Sequence, residues 1–455
     1  MASRKATAYF IGIGGIGMSA LARFFDAEGW RIEGSDLSPT PLLDELKKER
    51  MRIHLDHKAS HIHQRIGMVI YNNAIPRDNP ELKRAQDLKL PCYSYPQAVG
   101  DITKRLTTIA VAGSHGKSTT TALLALMLVA GRQDPTVLVG TKLKEFGGKN
   151  FRNGKKKYFV LEADEFKRAF LEYHPYAAVV TNIDREHLDT YGNLDAVKEA
   201  FLKFLANVNP EGFMVLNKDD ANLFSLKDKI QHKKVHWVST QSHSKDALAV
   251  KSRIRIFGEH NRSNALLAIT AATALGVPEE KCLKALAAYK GSWRRMEYKG
   301  VFRGAKVYDD YAHHPTEIQA TTQAAKEAYP GKKIWAVFQP HHGERLKRLW
   351  NEFVKGFEGL DGLVLLDVYE VAGREERASG ANARGGTSTR INSSILADAV
   401  RYGGRSPRQV IYTANPKELP NILALNVGRF GKLSDTVILM MGAGNIVEYT
   451  KELVE

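Results

Sequence analysis

The part of the sequence that most constrains the fold is a predicted strand, glycine turn and helix that starts at residue 109. The apolar residues 109–112 predict a buried strand, and Gly113-Ser114-His115-Gly116-Lys117-Ser118 follows as a turn that leads into an apolar helix. Such a turn brings backbone N–H groups, the positive end of a helix and the charge of Lys117 to one anion, and Ser118 can hold a magnesium ion. The stretch therefore predicts a site for the phosphates of a nucleoside triphosphate.

The glycine spacing in this turn is shorter than in a standard P-loop. Val111 stands where the standard pattern has its first glycine, which leaves a Gly-x-x-Gly-Lys-Ser form. The alternative interpretation is an ordinary strand-to-helix turn that happens to contain a lysine and a serine. The apolar strand before the turn favours the phosphate site.

A second glycine turn lies near the N-terminus. Residues 8–13 predict a strand, Gly12-Ile13-Gly14-Gly15-Ile16-Gly17 a turn and residues 18–27 a helix, and the next predicted strand leads to Asp36. Dinucleotide-binding units have this layout, in which the acidic residue accepts a hydrogen bond from a ribose hydroxyl. The pattern indicates NAD or FAD, or another nucleotide diphosphate held by the same backbone groups.

Two chemically active side chains follow predicted strands downstream of the phosphate turn. Glu162 ends the strand over residues 158–161, and His187 comes shortly after the strand over residues 177–181. Because ligands bind at the carboxyl ends of parallel strands, Glu162 is a candidate magnesium ligand and His187 a candidate for a metal or phosphate contact. The alternatives are an acidic helix cap over residues 162–165 and a histidine of the core.

The remaining predicted elements are an alanine-rich helix and a second doubly wound unit. Asn261 and Asn264 lie three residues apart near the start of the helix, where their amides can read a base or ribose or can cap the helix. Four strand-like runs occur after residue 300, and the Gly/Arg/Ser/Thr-rich residues 373–393 predict a mobile loop. These four runs are residues 306–308, 334–338, 362–366 and 437–441.

Composition excludes several classes of protein. The 455 residues suffice for two to four domains, and Cys92 and Cys282 lie too far apart to indicate a zinc site or a disulfide framework. No apolar run is long enough to cross a bilayer, so we predict a soluble cytoplasmic protein without a membrane partner. The net charge of +16 suits nucleic acid or small polyanions, but no nucleic-acid recognition pattern accompanies it, so we predict no nucleic-acid partner.

Taken together, these motifs resemble the Mur ligase family of ATP-dependent ligases, which add amino acids to UDP-N-acetylmuramic acid in peptidoglycan synthesis. The resemblance spans essentially the whole chain. The stretches 12–19 and 309–318 are similar to the branch that adds L-alanine and to the branch that recycles an intact tripeptide, and residues 180–183 and 338–341 favour the first. The stretches that carry the family resemblance are 113–118, 162–165, 181–183 with His187, 260–261 with Asn264, 294–295 and 310–313.

The resemblance implies an α/β fold of three domains, with ATP and Mg²⁺ as cofactors. Residues 1–100 would form a Rossmann-like domain that binds the UDP-sugar, residues 101–292 a P-loop ATPase-like domain that binds ATP, and residues 293–455 a Rossmann-like domain that binds the amino acid. The domain boundary near residue 100 is predicted from the cluster of Pro91, Pro96 and Gly100. The implied substrates are UDP-N-acetylmuramate, ATP and L-alanine, and the implied assembly is a monomer or weak homodimer.

The resemblance also implies the site residues, in five groups. The catalytic group is Lys117, Glu162, His187, Arg295 and Asp310; the ATP group is Gly113, Ser114, His115, Gly116, Lys117, Ser118, Thr119, Asn261, Asn264, Arg295 and Asp310. The UDP-sugar group is Gly14, Gly15, Ile16, Gly17, Asp36 and Asn73; the amino-acid group is His313, His341 and Arg345; and the metal ligands are Ser118, Glu162 and His187.

Three residues depart from the family pattern. Phe166-Lys167 replaces the usual Ser-Asp, and His342 stands where an arginine is expected, so Arg345 is predicted to hold the amino-acid carboxylate instead. Four functions stay open as alternatives to the L-alanine ligase. They are the tripeptide ligase of murein recycling, a nicotinamide-dependent oxidoreductase, a nucleic-acid-binding ATPase and a binding protein with an inactive ATP site. The oxidoreductase leaves Lys117 without a role, and the inactive site is disfavoured because Lys117, Ser118, Glu162 and His187 are all present.

Overall fold

The computed structural model describes residues 6–155, 157–242, 244–369, 392–403, 406–429 and 432–454. Contacts within the chain divide it into two compact units, one formed by residues 1–255 and 262–289 and the other by residues 256–261 and 290–455. Three separate sheets with helices between their strands confirm the predicted α/β class. Part of the predicted loop, residues 373–391, lies outside the described residues, and Ser393 begins a helix.

The first sheet is parallel throughout and has the strand order β3-β2-β1-β4-β5. Its strands are β1 (Thr7–Ile11), β2 (Arg31–Ser35), β3 (Arg52–His54), β4 (Ile66–Tyr71) and β5 (Cys92–Ser94). The accompanying helices are α1 (Ile16–Ala27), α2 (Pro41–Lys48), α3 (Pro80–Asp87) and α4 (Tyr95–Arg105). From β1 the chain builds the sheet outwards on one side through β2 and β3 and then on the other side through β4 and β5. The glycine turn after β1 therefore lies where the strand order reverses, which is where such sheets bind ligands.

The predicted domain boundary between residues 100 and 101 falls inside helix α4. Pro96 lies in the first turn of that helix, where a missing N–H costs nothing. Gly100 lies on its buried side, and a Cβ built there would come 2.5 Å from the carbonyl oxygen of Glu172. The proline and glycine that suggested a linker therefore start a helix and allow close packing, and the boundaries of the domains stay predictions.

The second sheet has the order β12-β11-β10-β6-β9-β7-β8, and among its described strands only β7 and β8 pair antiparallel. Its strands are β6 (Thr107–Ala112), β7 (Thr136–Leu143), β8 (Lys149–Arg152), β9 (Tyr158–Glu162), β10 (Ala177–Val180), β11 (Phe213–Asn217) and β12 (Val235–Val238). Its helices are α5 (Lys117–Ala130), α6 (Leu188–Tyr191), α7 (Leu194–Ala206), α8 (Ala221–Phe224), α9 (Lys245–Arg253), α10 (Glu259–Ala274) and α11 (Glu279–Ala288). Parallel pairing of β6 with both β9 and β10 brings three strand ends to one edge.

The first two sheets share one hydrophobic core. Phe24 of α1 packs edge-on against Phe151 of β8, with ring centroids 6.5 Å apart, and lies 6.1 Å from the ring of Phe159 of β9. The buried Arg23 beside it makes ion pairs with Glu49 and hydrogen-bonds Asn150 of β8. Shared burial of aromatic surface explains why residues 1–255 form a single unit.

The third sheet belongs to the second unit and has the order β13-β14-β18-β15-β16-β17. Only the β13–β14 pair is antiparallel among the described strands of this sheet, and the four strands predicted from the sequence are confirmed. The strands are β13 (Glu297–Phe302), β14 (Ala305–Asp310), β15 (Lys333–Phe338), β16 (Gly362–Leu365), β17 (Gln409–Tyr412) and β18 (Thr436–Met441). The helices are α12 (Pro315–Ala328), α13 (Gly343–Arg348), α14 (Trp350–Gly356), α15 (Ser393–Gly403), α16 (Leu419–Arg429) and α17 (Ile446–Val454).

Candidate active site

The phosphate turn joins β6 to α5, as predicted. Gly113 has φ 137° and Gly116, the residue that caps α5, has φ 82°, both in the region that favours glycine. A Cβ built at Gly113 would lie 2.0 Å from Thr181 Oγ1, and one at Gly116 would lie 2.4 Å from Asn264 Oδ1. Both glycines are therefore required by backbone conformation and by close neighbours, and the turn exposes N–H groups at the start of a helix.

Lys117 is held by a buried carboxylate at the floor of the turn. Its Nζ lies 2.8 Å from Oε2 and 3.0 Å from Oε1 of Glu165, and it donates a third hydrogen bond of 2.6 Å to the carbonyl oxygen of Gly113. Burial alone lowers the pKa of the Lys117 ammonium, but the negative charges of Glu165 and Asp164 outweigh burial and raise it. The lysine therefore stays charged and is fixed in position.

Ser118 and Glu162 meet beside this ion pair. The Ser118 hydroxyl donates to Glu162 Oε1 at 3.0 Å, and the backbone N–H of Gly140 donates to Glu162 Oε2 at 2.6 Å. A Cβ at Gly140 would come within 2.6 Å of the same carboxylate, so β7 has to pass this position as glycine. A hydroxyl and a carboxylate are oxygen ligands of the kind that Mg²⁺ prefers, so the chemistry of both residues fits the metal-ligand role expected of them.

His187 lies close to the Glu165 carboxylate that holds Lys117. It precedes α6 with φ 52°, and its Nε2 lies 4.0 Å from Glu165 Oε1. Asp164, Glu165 and His187 each offer one ligand atom, and these atoms lie within 4.8 Å of one another. His187 was expected as a metal ligand, but the sequence did not predict Glu165, whose carboxylate lies near both Lys117 and His187.

The strand end at β10 braces the phosphate turn from behind. The backbone N–H of His115 donates to Asn182 Oδ1 at 2.8 Å, and His115 Nε2 lies 2.9 Å from Asp184 Oδ2. The Ser114 hydroxyl accepts the Asp184 N–H at 2.8 Å, and Thr119 is buried in the first turn of α5. These contacts fix the turn in one conformation, which is what a preorganised anion site requires.

The glycine turn of the first sheet runs from Gly12 to Gly17 and leads into α1. Gly15 caps the helix, which begins at Ile16, two residues earlier than predicted. Asp36 was predicted to meet a ribose; its Oδ2 accepts the Gly14 N–H at 2.8 Å and its Oδ1 accepts the Leu37 N–H at 2.8 Å. The carboxylate therefore shapes the turn itself, and the ribose contact stays a prediction.

A neighbouring loop and helix flank this turn. The loop after β4 carries Asn72, whose Nδ2 lies 3.0 Å from a Cβ built at Gly15, followed by Asn73. On the other side, a Cβ at Gly17 would lie 2.9 Å from the hydroxyl of Tyr95, the first residue of α4. The predicted UDP-sugar residues thus lie at or near one turn. The turn and the start of α1 contain Gly14, Gly15, Ile16 and Gly17; Asp36 accepts a hydrogen bond from the turn, and Asn73 follows Asn72 in the neighbouring loop.

Asn261 and Asn264 both lie on α10, but the division between the two compact units passes between residues 261 and 262 of that helix. Asn264 is buried with its amide against Gly116 of the phosphate turn, as the clash distance given above indicates. Asn261 donates from Nδ2 to the carbonyl oxygen of Phe257 at 2.7 Å. The structure therefore brings Asn264 to the phosphate turn, and the predicted contact of Asn261 with a base stays a prediction.

Arg295, Asp310 and His313 form a group of their own in the second unit. Asp310 ends β14, and its carboxylate accepts the N–H groups of Met296 at 2.7 Å and Ala312 at 2.8 Å. Burial raises the pKa of Asp310, although the nearby Arg295 opposes the rise. Glu317 of α12 joins the group, 3.7 Å from Arg295 Nη1 and 3.1 Å from His313 Nδ1.

The predicted amino-acid residues follow β14 and β15. The ring of His341 stacks on Tyr369 at 5.7 Å and meets the ring of His313 edge-on at 6.2 Å. Arg345 Nη1 donates to the carbonyl oxygen of His341 at 3.5 Å, and His342 adopts φ 68° between them. His313, His341 and Arg345 are thus brought together, and Tyr369 is a neighbour that the sequence did not predict.

Fold and site together define a nucleotide-binding α/β enzyme with a shortened phosphate loop. Three family profiles match the chain: the Mur ligase family catalytic domain over residues 7–107, the Mur ligase middle domain over residues 111–272 and the Mur ligase glutamate ligase domain over residues 294–444. The chain belongs to the Mur ligase family.

Curated relatives match over almost the whole length. The UDP-N-acetylmuramate–L-alanine ligase of Caldanaerobacter subterraneus is 36% identical over 98% of this chain and 97% of its own. The enzyme of that name from Acetivibrio thermocellus is 36% identical over 96% of this chain and 93% of its own.

Solved structures agree with this membership. The UDP-N-acetylmuramate-alanine ligase of Thermotoga maritima, 27% identical, superposes with a TM-score of 0.78 over 99% of this chain and 98% of its own. A murein peptide ligase from Psychrobacter arcticus, 22% identical, shares the fold with a TM-score of 0.69 over 99% of this chain and 98% of its own. Within the described residues, no helix is both long and apolar enough to cross a membrane.

Proposed function

We propose that this chain joins L-alanine to the lactyl carboxylate of UDP-N-acetylmuramate at the expense of ATP, a cytoplasmic step of peptidoglycan synthesis. A lactyl carboxylate oxygen attacks the γ-phosphorus of ATP, and the bond from that phosphorus to the β-phosphate oxygen breaks. ADP is released, and the sugar nucleotide becomes an acyl phosphate. The amine of L-alanine then attacks the acyl carbon and loses a proton to a base. The tetrahedral intermediate releases inorganic phosphate and the amide.

The observation that carries this proposal is the pairing of both reactive residues of the phosphate turn with carboxylates. Lys117 forms an ion pair with Glu165, and the Ser118 hydroxyl donates a hydrogen bond to Glu162. A cation and several oxygen ligands therefore lie beside the backbone N–H groups of the turn. The first carboxylate keeps the lysine charged, and the second orients the hydroxyl. Attack of a carboxylate on a phosphate brings two anions together, and such an arrangement offsets their repulsion.

Magnesium fits this arrangement. Ser118 and Glu162 would hold one ion, and His187, with Asp164 and Glu165, would hold a second. When bound, the ions neutralise phosphate charge during phosphoryl transfer. Asn264 would meet the nucleotide together with Asn261, and Arg295 and Asp310 would contact its γ-phosphate and ribose.

The other substrates are assigned by the same reasoning. The glycine turn after β1 would hold the UDP diphosphate, with Asp36 and Asn73 beside it. His313, His341 and Arg345 would bind L-alanine, and either His313 or His187 would take the proton from its amine. We propose that the protein acts as a monomer or weak homodimer.

The proposal is tested by phosphate release from ATP and Mg²⁺ with UDP-N-acetylmuramate and single amino acids, with product masses measured in parallel. Release that requires both the sugar nucleotide and L-alanine, with a product heavier by one alanyl residue, supports it. Release that requires the sugar nucleotide and occurs with L-alanyl-γ-D-glutamyl-diaminopimelate but with no single amino acid would assign the recycling reaction. Release independent of the sugar nucleotide, or stimulated by nucleic acid, would contradict a ligase.

A further inference from the structure

The chain turns sharply immediately after Glu165. Lys167 has φ 49° and ψ 30°, and Arg168 has φ 61° and ψ 25°, so two consecutive residues with side chains adopt the left-handed conformation. This conformation is unfavourable for residues other than glycine, asparagine and aspartate. It persists where neighbours fix it, and such positions cluster at ligand sites.

Contacts on both sides hold this turn. The ring of Phe166 lies 5.0 Å from the ring of His187, and the guanidinium of Arg168 lies 5.6 Å from the ring of Tyr191. The Tyr191 hydroxyl donates to the carbonyl oxygen of Glu165 at 2.6 Å, so the start of the turn is tied to α6. The backbone is therefore anchored both before and after Lys167.

Lys167 reaches the first sheet. Its Nζ donates a hydrogen bond of 2.8 Å to the carbonyl oxygen of Asn73, in the loop that flanks the glycine turn through Asn72. Among the described residues this is the one hydrogen bond of the Lys167 ammonium. An ammonium has three N–H donors, so two can bind a ligand. The residue is exposed, so a ligand on the glycine turn can reach it.

The charges nearby explain what a cation at this position can do. Glu162, Asp164 and Glu165 place three carboxylates in four residues, and the charge of Lys117 is engaged by Glu165. An anionic substrate that approaches this segment from the first sheet meets repulsion, which a cation on that side offsets. The Ser-Asp that the family resemblance predicted at residues 166–167 would have added a fourth carboxylate instead.

We propose that Lys167 binds an anionic group of the sugar nucleotide, either the lactyl carboxylate or the diphosphate. The inference rests on the proposed function, because it takes UDP-N-acetylmuramate as the ligand of the glycine turn. It assigns to the middle part of the chain a direct contact with a substrate held by the first sheet. The strained turn is the structural means that delivers the ammonium to the Asn73 loop.

The test measures binding of UDP-N-acetylmuramate and UDP-N-acetylglucosamine to the full-length protein by calorimetry. Lys167→Met should raise the dissociation constant of UDP-N-acetylmuramate about tenfold, the effect of one hydrogen bond to a charged group. Lys144→Met, which removes an exposed ammonium after β7 that has no part in holding the turn, should change it less than twofold. Lys167→Gly removes the ammonium but suits the left-handed backbone, and should weaken binding as Lys167→Met does.

The second ligand identifies the group, because UDP-N-acetylglucosamine has the diphosphate without the lactyl carboxylate. Weakening of UDP-N-acetylmuramate alone assigns the carboxylate, and equal weakening of both ligands assigns the diphosphate. Unchanged binding of UDP-N-acetylmuramate to both Lys167 variants would overturn the inference and leave the proposed function standing. A wild-type protein that binds neither ligand would contradict the proposed function itself.

Discussion

The two glycine turns of this chain have the same backbone layout and different side chains. Each follows a central parallel strand and opens a helix, with Gly15 before α1 and Gly116 before α5. The first turn of α1 carries no charged side chain, whereas α5 begins with Lys117 and Ser118, each paired with a carboxylate. Under the proposed function, the backbone of the first turn binds a diphosphate, and the side chains added at the second turn support phosphoryl transfer.

The buried carboxylates near the two turns show the same contrast. Glu81 of α3 accepts hydrogen bonds from Tyr9, Ser35, His57 and His61, at 2.5 to 2.9 Å. Burial alone would raise the pKa of Glu81, but these four donors lower it below its ordinary value. Burial raises the pKa of Glu165, against the opposing charge of Lys117. Glu81 is satisfied by four hydrogen-bond donors of the fold, whereas among the described residues the hydrogen bonds to the Glu165 carboxylate come from one cation, Lys117.

The largest expected effect comes from removing that cation. Lys117→Ala should lower turnover at least roughly a thousandfold, because the phosphates lose their main protein charge, while UDP-N-acetylmuramate binding stays within twofold. Steady-state kinetics and calorimetry check the two parts. The double variant Lys117→Ala with Glu165→Gln, which leaves no unpaired buried charge, is the control for folding. Loss of both turnover and sugar-nucleotide binding in the double variant would contradict the separation of the two turns.

Removal of the second carboxylate should have a smaller effect. Glu162→Gln should reduce turnover roughly a hundredfold and raise the Mg²⁺ concentration needed for half-maximal rate, because the amide is a weaker partner for the metal. Magnesium titrations of the initial rate measure this. Glu145→Gln, an exposed acid after β7, is the matched control. An unchanged magnesium requirement in Glu162→Gln would remove Glu162 from the proposed metal site.

A pair of glycine substitutions separates the two turns directly. A Cβ at Gly116 would meet Asn264 Oδ1 at 2.4 Å, and one at Gly14 would meet Asp36 Oδ2 at 2.8 Å. Gly116→Ala should raise the KM for ATP roughly tenfold and spare UDP-N-acetylmuramate, and Gly14→Ala should do the reverse. Initial rates with each substrate varied in turn provide the check, and the same KM changes in both variants would argue against separate ligands.

The smallest effect concerns stability. Glu81→Gln should lower the free energy of unfolding at pH 7 by about 1–3 kcal/mol, because the amide cannot accept all four hydrogen bonds. Since the folded-state pKa of Glu81 lies below its ordinary value of 4.5, the stabilisation is present above pH 4.5 and is lost as the pH falls through the folded-state pKa. Urea unfolding at pH 7 and pH 4 should therefore show a smaller difference at pH 4. An equal difference at both pH values would mean that the carboxylate charge is not responsible.

The sequence predicted those parts of the site that backbone rules determine. Lys117, Ser118 and Glu162 were expected together because they follow parallel strands, and β6 and β9 are paired so that their ends meet. Glu165 was missed because sequence does not indicate which of several adjacent acids points inward.

Contacts between distant segments were also beyond the sequence. The approach of Tyr95 to Gly17 depends on how α4 packs beside α1, and the hydrogen bond from Lys167 to Asn73 depends on how the first two sheets pack. Residue 100 lies inside a helix because proline and glycine at Pro96 and Gly100 serve a helix start and a close contact as well as they serve a linker, and the domain boundary there stays a prediction.

The most direct test of the account is the fate of the lactyl carboxylate oxygens. UDP-N-acetylmuramate labelled with ¹⁸O in that carboxylate is incubated with ATP, Mg²⁺, L-alanine and the protein, and the released phosphate is analysed by mass spectrometry. Attack of the carboxylate on ATP followed by attack of the amine on the acyl carbon predicts one labelled oxygen in each phosphate. Unlabelled phosphate would mean that water attacks the nucleotide, and it would contradict the ligase mechanism.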